Sequence, residues 1–369
     1  MTEWIECTLD KLGEIVGGAT PSTKCEDYYG GSIPWITPKD LSSFKGRYIT
    51  SGERNITEKG LASCSAQMMP KDAVLFTSRA PIGYVAIASQ SVCTNQGFKS
   101  IVVNEKADPL FVYYLLKYNK DAIEAMGSGT TFKEVSGKTM RAVKLRIPLD
   151  VSYQKRIAAV LDSLDTKIEN NERINDNLEL QAQAIYSYMF IENADPAWVQ
   201  GHLSDLITVK YGKDHKKLAD GSYPVYGSGG IMRYVERPLY DKESVLIPRK
   251  GTLNNVMYVN QPFWSVDTMF YTEMRLPNVA KFVYHFVKAK DLASMNAGSA
   301  VPSMTTDILN AMEVVIPSTS ALAEFESLVD PMYRAMQENN IQSSKLSELR
   351  DALLPKLMSG EIDVSDIQL

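Results

Sequence analysis

The chain has 369 residues, 44% of them hydrophobic and 22% charged, and a formal net charge of −5. That length supports two or three separate cores. No apolar run approaches membrane-spanning length, and the acidic start MTEWIECTLD is unlike a signal peptide, so a cytoplasmic protein is expected. Cys7, Cys25, Cys64 and Cys93 include no C-x-x-C pair, and His202, His215 and His285 are scattered, which excludes any recognisable metal-ligand spacing.

Residues 1–150 read as a mixed block. Short β-rich runs fall at Val74–Thr77, Tyr84–Ala88, Ser100–Val103 and Val143–Ile147, separated by Gly, Pro and Ser. A single helix is expected over Pro109–Met126, with Asp108 as N-cap. From Ser152 to Phe190 no Pro or Gly interrupts the chain, and Ile157, Leu161, Leu164, Ile168, Asn171, Asn175, Leu178, Ala182, Ile185 and Met189 recur at steps of four and three. That is heptad spacing. A helix this long needs a partner along its length.

Residues 196–318 repeat the first block. Strands are expected near Val245–Ile247, Val256–Val259, Phe270–Met274 and Met312–Ile316, with a helix near Val279–Lys290. A second seam follows at Phe325, Val329, Met332, Met336, Asn339, Ser343, Leu346, Arg350, Leu353 and Leu357, in the phase of the first and 168 positions on. Asn171 thus corresponds to Asn339, and an amide in a seam penalises slipped registers. Arg350 is the misfit, for which Leu349 is expected to substitute. A long intramolecular helix pair is the preferred reading; two unrelated core helices, or a coil between chains, are the alternatives. The tail from Pro355 is expected to leave the coil and fray.

Internal matches support a duplication. Trp4, Leu9 and Leu12 recur as Trp198, Leu203 and Leu206; Gly31-Ser32-Ile33-Pro34 as Gly221-Ser222-Tyr223-Pro224; Phe111-Val112-Tyr113 as Phe282-Val283-Tyr284; Gly127-Ser128 as Gly298-Ser299; and Ile147-Pro148 as Ile316-Pro317. Charge follows the same division: the two blocks carry +2 each, whereas residues 151–195 and 319–369 carry −4 and −5. Mild positivity leaves a DNA site open without proving one.

Catalytic chemistry finds no footing. Gly137-Lys138-Thr139 lacks the earlier glycine of a phosphate-binding loop, Phe132 standing in its place. Gly227-Ser228-Gly229-Gly230 lacks the helix start and acidic partner of a dinucleotide site and reads as a flexible loop. Asp72 and Glu134 could belong to a nuclease carboxylate cluster, but sequence alone does not separate them from surface charges. A binding protein is expected. The loops Thr77–Gly83 and Ser128–Lys133, with Arg249–Thr252 and Ser299–Ser303 in matching places, offer hydroxyls and cations suited to phosphates and guanine edges. The candidate DNA-contacting residues are Lys39, Ser78, Arg79, Thr130, Thr131, Lys133, Lys216, Arg249, Lys250 and Ser303. Ile157, Leu161, Leu164, Ile168, Asn171, Leu178, Ile185, Phe325, Val329, Met332, Met336, Asn339, Leu346 and Leu353 are the candidate helix-pair interface.

With these motifs in hand, the chain resembles the specificity subunit of type I restriction–modification systems over nearly its whole length. The resemblance rests on Leu75-Phe76-Thr77-Ser78-Arg79-Ala80-Pro81-Ile82-Gly83, on Gly127-Ser128-Gly129-Thr130-Thr131-Phe132-Lys133, on Ile147-Pro148 leading to Gln154-Lys155-Arg156-Ile157, and on Leu353-Leu354-Pro355-Lys356-Leu357-Met358-Ser359-Gly360-Glu361-Ile362. The second block departs from the pattern: Arg249-Lys250-Gly251 replaces Arg79-Ala80-Pro81, and Gln154 has no clear counterpart. The resemblance implies an α+β chain with an internal pseudo-twofold repeat. Two mixed α/β target-recognition domains (1–150 and 196–318) would be separated by long helices (151–195 and 319–369, the latter with the tail) paired as an antiparallel intramolecular coiled coil. It implies a non-enzymatic subunit for a bipartite, asymmetric duplex target, with no cofactor of its own. Its partners would be two methyltransferase subunits using S-adenosylmethionine and a nuclease–translocase using ATP and Mg. A scaffold or inhibitory relative that keeps the helices without reading DNA is the other expectation.

Overall fold

The structure, a computed structural model, describes residues 3–129, 133–295 and 303–367. The chain divides into two units, Met1–Arg173 with Asn339–Leu369, and Ile174–Glu338.

In the first unit, β1 (Trp4–Thr8) pairs antiparallel with β10 (Lys144–Pro148), Trp4 facing Pro148. The main sheet runs β2 (Gly13–Gly17), β9 (Lys99–Val103), β6 (Val74–Ser78), β7 (Ile82–Ala88) and β4 (Tyr48–Ile49) in that order. A smaller sheet has the order β5 (Arg54–Ile56), β3 (Tyr29–Ile36) and β8 (Cys93–Thr94). β6 is buried along its whole length, as its run of apolar and small residues requires. The expected single helix over 109–126 is two helices, Pro109–Tyr118 and Lys120–Ala125. Asn119 divides them, its side-chain amide donating to the Leu115 carbonyl at 2.8 Å and capping the first.

The second unit repeats this plan. β11 (Val199–His202) pairs with β19 (Glu313–Ile316). The main sheet is β12 (Ile207–Tyr211), β18 (Met269–Met274), β15 (Ser244–Pro248) and β16 (Met257–Val259), and the smaller one is β14 (Gly230–Val235), β13 (Asp220–Gly227) and β17 (Trp264–Ser265). A helix spans Ala280–Lys288. The parallel pair Trp35↔Cys93 has its counterpart in Val225↔Trp264. Gly31 and Gly221 are equivalent for a steric reason: a Cβ at either would lie about 2.5 Å or less from backbone of the neighbouring strand. Gly227–Gly230 is no flexible loop but the tight turn of the β13–β14 hairpin, Gly227 facing Gly230. The first unit instead places residues 37–53 between β3 and β5, and that insertion contributes β4 at the sheet edge.

Two long helices, Val151–Ser187 and Thr319–Ser359, each contribute to both units. The first ends in a π-helical turn at Tyr188–Glu192. In the first unit they run antiparallel, Asp165 meeting Arg350 and Asn171 meeting Ser343. In the second, Asn175 meets the Met336 carbonyl and Tyr186 meets Phe325. Each helix also packs on the sheet domains, so the buried stripe is wider than a two-stranded seam. Ile157 and Leu161 are fully buried in the first unit's core, and Phe325 and Val329 in the second's. Leu164, Ile168, Leu178, Ile185, Met332, Met336, Asn339, Leu346 and Leu353 are half-buried, whereas neighbouring Asp165, Tyr186 and Tyr333 are buried.

Two expectations for the second helix are corrected. Leu349 is exposed and does not replace Arg350; Arg350 is itself satisfied by Asp165 at 2.7 Å. The tail does not fray at Pro355. The helix continues to Ser359, Leu357, Met358 and Val364 are buried in the first core, and Asp363 accepts the Tyr153 hydroxyl at 2.9 Å.

Candidate nucleic-acid interface

In the first unit the candidate face begins where β6 ends. Ser78 is fully buried, and its hydroxyl donates to the Gly97 carbonyl at 3.2 Å, so it shapes the loop rather than reaching outward. The next residue, Arg79, is one-third exposed and bridges to Glu134. The Glu134 carboxylate sits between two cations, 3.6 Å from Arg79 and 3.6 Å from Lys99. Arg141 and Lys99 both border the space above Gly137. Glu134 is thereby a partner of cations, not part of a carboxylate cluster. Asp72 lies at a left-handed turn (φ 68°) before β6. Lys99 and Arg141 escaped the sequence reading because their proximity depends on β9 and the short Gly137–Arg141 helix meeting in space.

The loop that follows is pinched at its neck. Ser128 and Glu134 exchange backbone hydrogen bonds of 3.0 and 2.9 Å. Lys133 is exposed there; Thr130 and Thr131 lie outside the described residues. Lys138-Thr139 belongs to the Gly137–Arg141 helix, capped by Ser136, whose hydroxyl accepts the Thr139 N–H at 3.0 Å. Lys39 is exposed in the 37–53 insertion and pairs with Glu53 at 2.6 Å. The Pro38 ring before it abuts Gly97, where a Cβ would lie 2.7 Å away.

The second unit builds the same frame with other side chains. The Ser78 carbonyl accepts the Val135 N–H at 2.9 Å, and the Arg249 carbonyl accepts the Met304 N–H at 2.9 Å. Arg79 bridges Glu134 as Lys250 bridges Ser303. Lys250, not Arg249, is therefore the backbone counterpart of Arg79. Arg249 stacks over the Tyr211 ring, 5.4 Å from its centroid, and donates to the Asp267 carbonyl at 3.1 Å. Lys250 is exposed and Ser303 half-buried. Lys216 is exposed on a loop whose backbone is held by Asp214, 3.0 Å from the Lys216 N–H.

Beside this loop stands the β13–β14 hairpin. The Asn255 amide donates to the Ser228 carbonyl at 2.8 Å, and a Cβ on Gly251 would meet Ser228 Oγ at 2.6 Å, so the hairpin tip and the Arg249–Gly251 turn interlock. Gly251 also adopts φ 86°, which a side chain resists. Ile231, Met232 and Tyr234 on the hairpin are 49%, 61% and 49% exposed, an apolar run on β14. The sequence reading missed it because Gly227–Gly230 did not declare itself a hairpin turn.

Among the described residues, no three His, Cys, Asp or Glu side chains are grouped to hold a metal ion, and no helix is long and apolar enough to cross a membrane. Each unit instead presents cations on a loop at the end of a buried strand.

The chain matches the family described as "Type I restriction modification DNA specificity domain" over residues 1–180 and 197–339. The chain belongs to the type I restriction–modification DNA specificity family. It is 31% identical to the type I restriction enzyme MjaIX specificity subunit of Methanocaldococcus jannaschii, over 99% of this chain and 95% of that protein. It is 23% identical to the EcoprrI specificity subunit of Escherichia coli, over 89% of this chain and 86% of that protein. The crystal structure of the type I S subunit from M. genitalium shares its fold, with a TM-score of 0.62 at 18% identity and coverage of 96% of each chain. The protein is thus a specificity subunit, not a catalytic one, and its duplicated α/β units and long helices are the family's architecture.

Proposed function

We propose that this specificity subunit reads a bipartite, asymmetric duplex target, one short half-site per sheet domain. The observation that carries the reading is the shared loop frame with unlike side chains: Ser78-Arg79 in one unit and Arg249-Lys250 in the other, held by equivalent backbone bonds. Equal frames place the two readers alike on the duplex, and unequal side chains give unequal half-sites. Arg79 and Arg249 suit guanine edges, and Lys250, Lys133, Lys216 and Lys39 suit phosphates. Half-sites one duplex turn apart are separated by ~34 Å, within reach of helices of about 40 residues at ~1.5 Å per residue.

The long helices dock two methyltransferase subunits, which supply adenine methylation with S-adenosylmethionine, and a nuclease–translocase adds ATP- and Mg-dependent cleavage. The complex works in the cytoplasm. The mildly basic units leave much of the non-specific affinity to those partners.

The test is binding of duplexes in which one half-site at a time is scrambled. In the assembled complex, Arg79→Ala should cost about 1–3 kcal/mol of binding and relax base preference in one half-site alone. Arg249→Ala should do so in the other. Equal loss at both half-sites, or none at either, would count against two independent readers. A non-reading scaffold would assemble normally and show no preference before or after substitution.

A further inference from the structure

In each unit a buried cation of the sheet domain pairs with carboxylates of a long helix, beside the apolar core the two share. In the first unit this is Arg47, within the 37–53 insertion and just before β4. Its side chain is 6% exposed. It donates to Asp162 Oδ1 at 2.5 Å and the Asp162 carbonyl at 2.9 Å, to Thr166 Oγ1 at 2.9 Å, and to Glu169 Oε1 and Oε2 at 3.2 and 3.0 Å. Positions 162, 166 and 169 share one helix face. A planar guanidinium with five donors can satisfy such a set at once, and a flexible ammonium cannot.

In the second unit the cation is Lys281, on the Ala280–Lys288 helix. Its side chain is 1% exposed and pairs with Glu326, with Asp330 at 3.2 Å and with Glu243 at 3.5 Å. The Tyr258 and Tyr333 rings cover it, their centroids 5.3 and 5.5 Å away.

The two cations occupy unrelated places in the repeat. Arg47 lies in an insertion that the second unit lacks, and Leu110 stands where Lys281 would be in the first. Yet Asp162 and Asp330 occupy the same position of their helices, 168 residues apart. Two unlike domain cations meet equivalent helix carboxylates. Generic core packing does not require that coincidence; a domain that must not rotate on its helix does.

We propose that Arg47 and Lys281 are positioning residues that fix the orientation of each recognition domain on its long helix and so sharpen the spacer length the subunit accepts. This rests on the proposed reading of a bipartite target. A domain free to rock about its helix would keep its loop chemistry, and hence its half-site, while tolerating altered separations.

The test uses the assembled complex and duplexes carrying both half-sites at the cognate spacer and at spacers one base pair shorter and longer. For Arg47→Met, preference for the cognate spacer should fall at least tenfold while each half-site keeps its base preference. Arg47→Lys should recover only part of it. Lys281→Met should act likewise through the other domain. Thr166→Val with Glu169→Gln removes helix-side partners and serves if Arg47→Met does not fold.

Unchanged spacer preference in variants that assemble and melt normally would overturn the clamp alone. A changed half-site would overturn it too, by making Arg47 or Lys281 a reading residue. A wild-type complex with no sequence preference would remove the reading itself, and the clamp with it.

Discussion

Tyr114 and His285 stand 171 positions apart at the same place in the two repeats, and each reaches the same point of a long helix with different chemistry. The Tyr114 hydroxyl donates to Asp165 at 2.8 Å; the His285 imidazole accepts from the Tyr333 hydroxyl at 2.9 Å. Asp165 and Tyr333 are themselves 168 positions apart, the offset of the two helical seams. The duplication thus kept a polar link from sheet domain to helix and exchanged both partners.

The His285 link is sensitive to acid. Its Nδ1–H donates to Gln183 Oε1 at 2.8 Å, which leaves Nε2 to accept from Tyr333, so the pair requires the neutral ring. Burial lowers its pKa to about 4, with Lys288 lowering it further and Glu179 opposing. A folded-state pKa below the unfolded value means that the unfolded chain binds more protons between the two. The contribution is therefore whole above about pH 6.5 and is lost progressively down to about pH 4, in total of order 3 kcal/mol. Urea melts between pH 7 and 4 should show this slope, and His285→Asn should flatten it.

Asp165 serves two partners, Tyr114 on one oxygen and Arg350 on the other at 2.7 Å. Asp165→Ala takes the acceptor from the buried Tyr114 hydroxyl and leaves Arg350 with only the exposed Asp351 at 2.8 Å, a loss of about 3 kcal/mol. Thermal melts should place the first unit's stability well below wild type, with Tyr114→Phe costing about 1 kcal/mol by comparison.

The C-terminal tail is structural. Val364 is fully buried, and its N–H donates to the Tyr153 hydroxyl at 3.2 Å. Val364→Ala should cost about 2 kcal/mol through lost apolar burial and the cavity left behind. Hydrogen exchange should show the backbone amide of Val364 protected in the wild type and opened in the variant. Wild-type exchange as fast as in a frayed terminus would contradict the packing.

If the second unit reads a half-site as proposed, the exposed hairpin residues Ile231 and Met232 should take part. Ile231→Ser with Met232→Ser should alter base preference in the second unit's half-site, at thymines above all, because apolar side chains contact the thymine methyl. The first half-site and the salt dependence of binding should stay as they are, since no phosphate contact is removed. Selection of targets by the double variant reads all three.

What the sequence made legible was periodic or repeated. Heptad steps disclosed both helices, and offsets of 168 and 171 disclosed the duplication, because burial of one helix face and one strand face leaves a rhythm in the residues. Arg350 broke that rhythm and looked like an error; its partner Asp165 lies 185 positions away, a pairing no local pattern announces. Arg47 and Lys281 were silent for the same reason. The candidate loops were found by composition, but composition cannot tell an inward hydroxyl from an outward one. Ser78 bonds to Gly97 across 19 residues and is hidden, while Arg79 beside it is one-third exposed. The hairpin of the second unit was mistaken for loose chain because glycine serves tight turns and loops alike.

Two unlike readers in one chain should select a bipartite target. Selection from a random duplex pool by this subunit, assembled with its methyltransferase partners, tests it most directly. Two short, different motifs at one fixed separation should be recovered. A complex of full composition that recovers no motif, or a single undivided one, would contradict it.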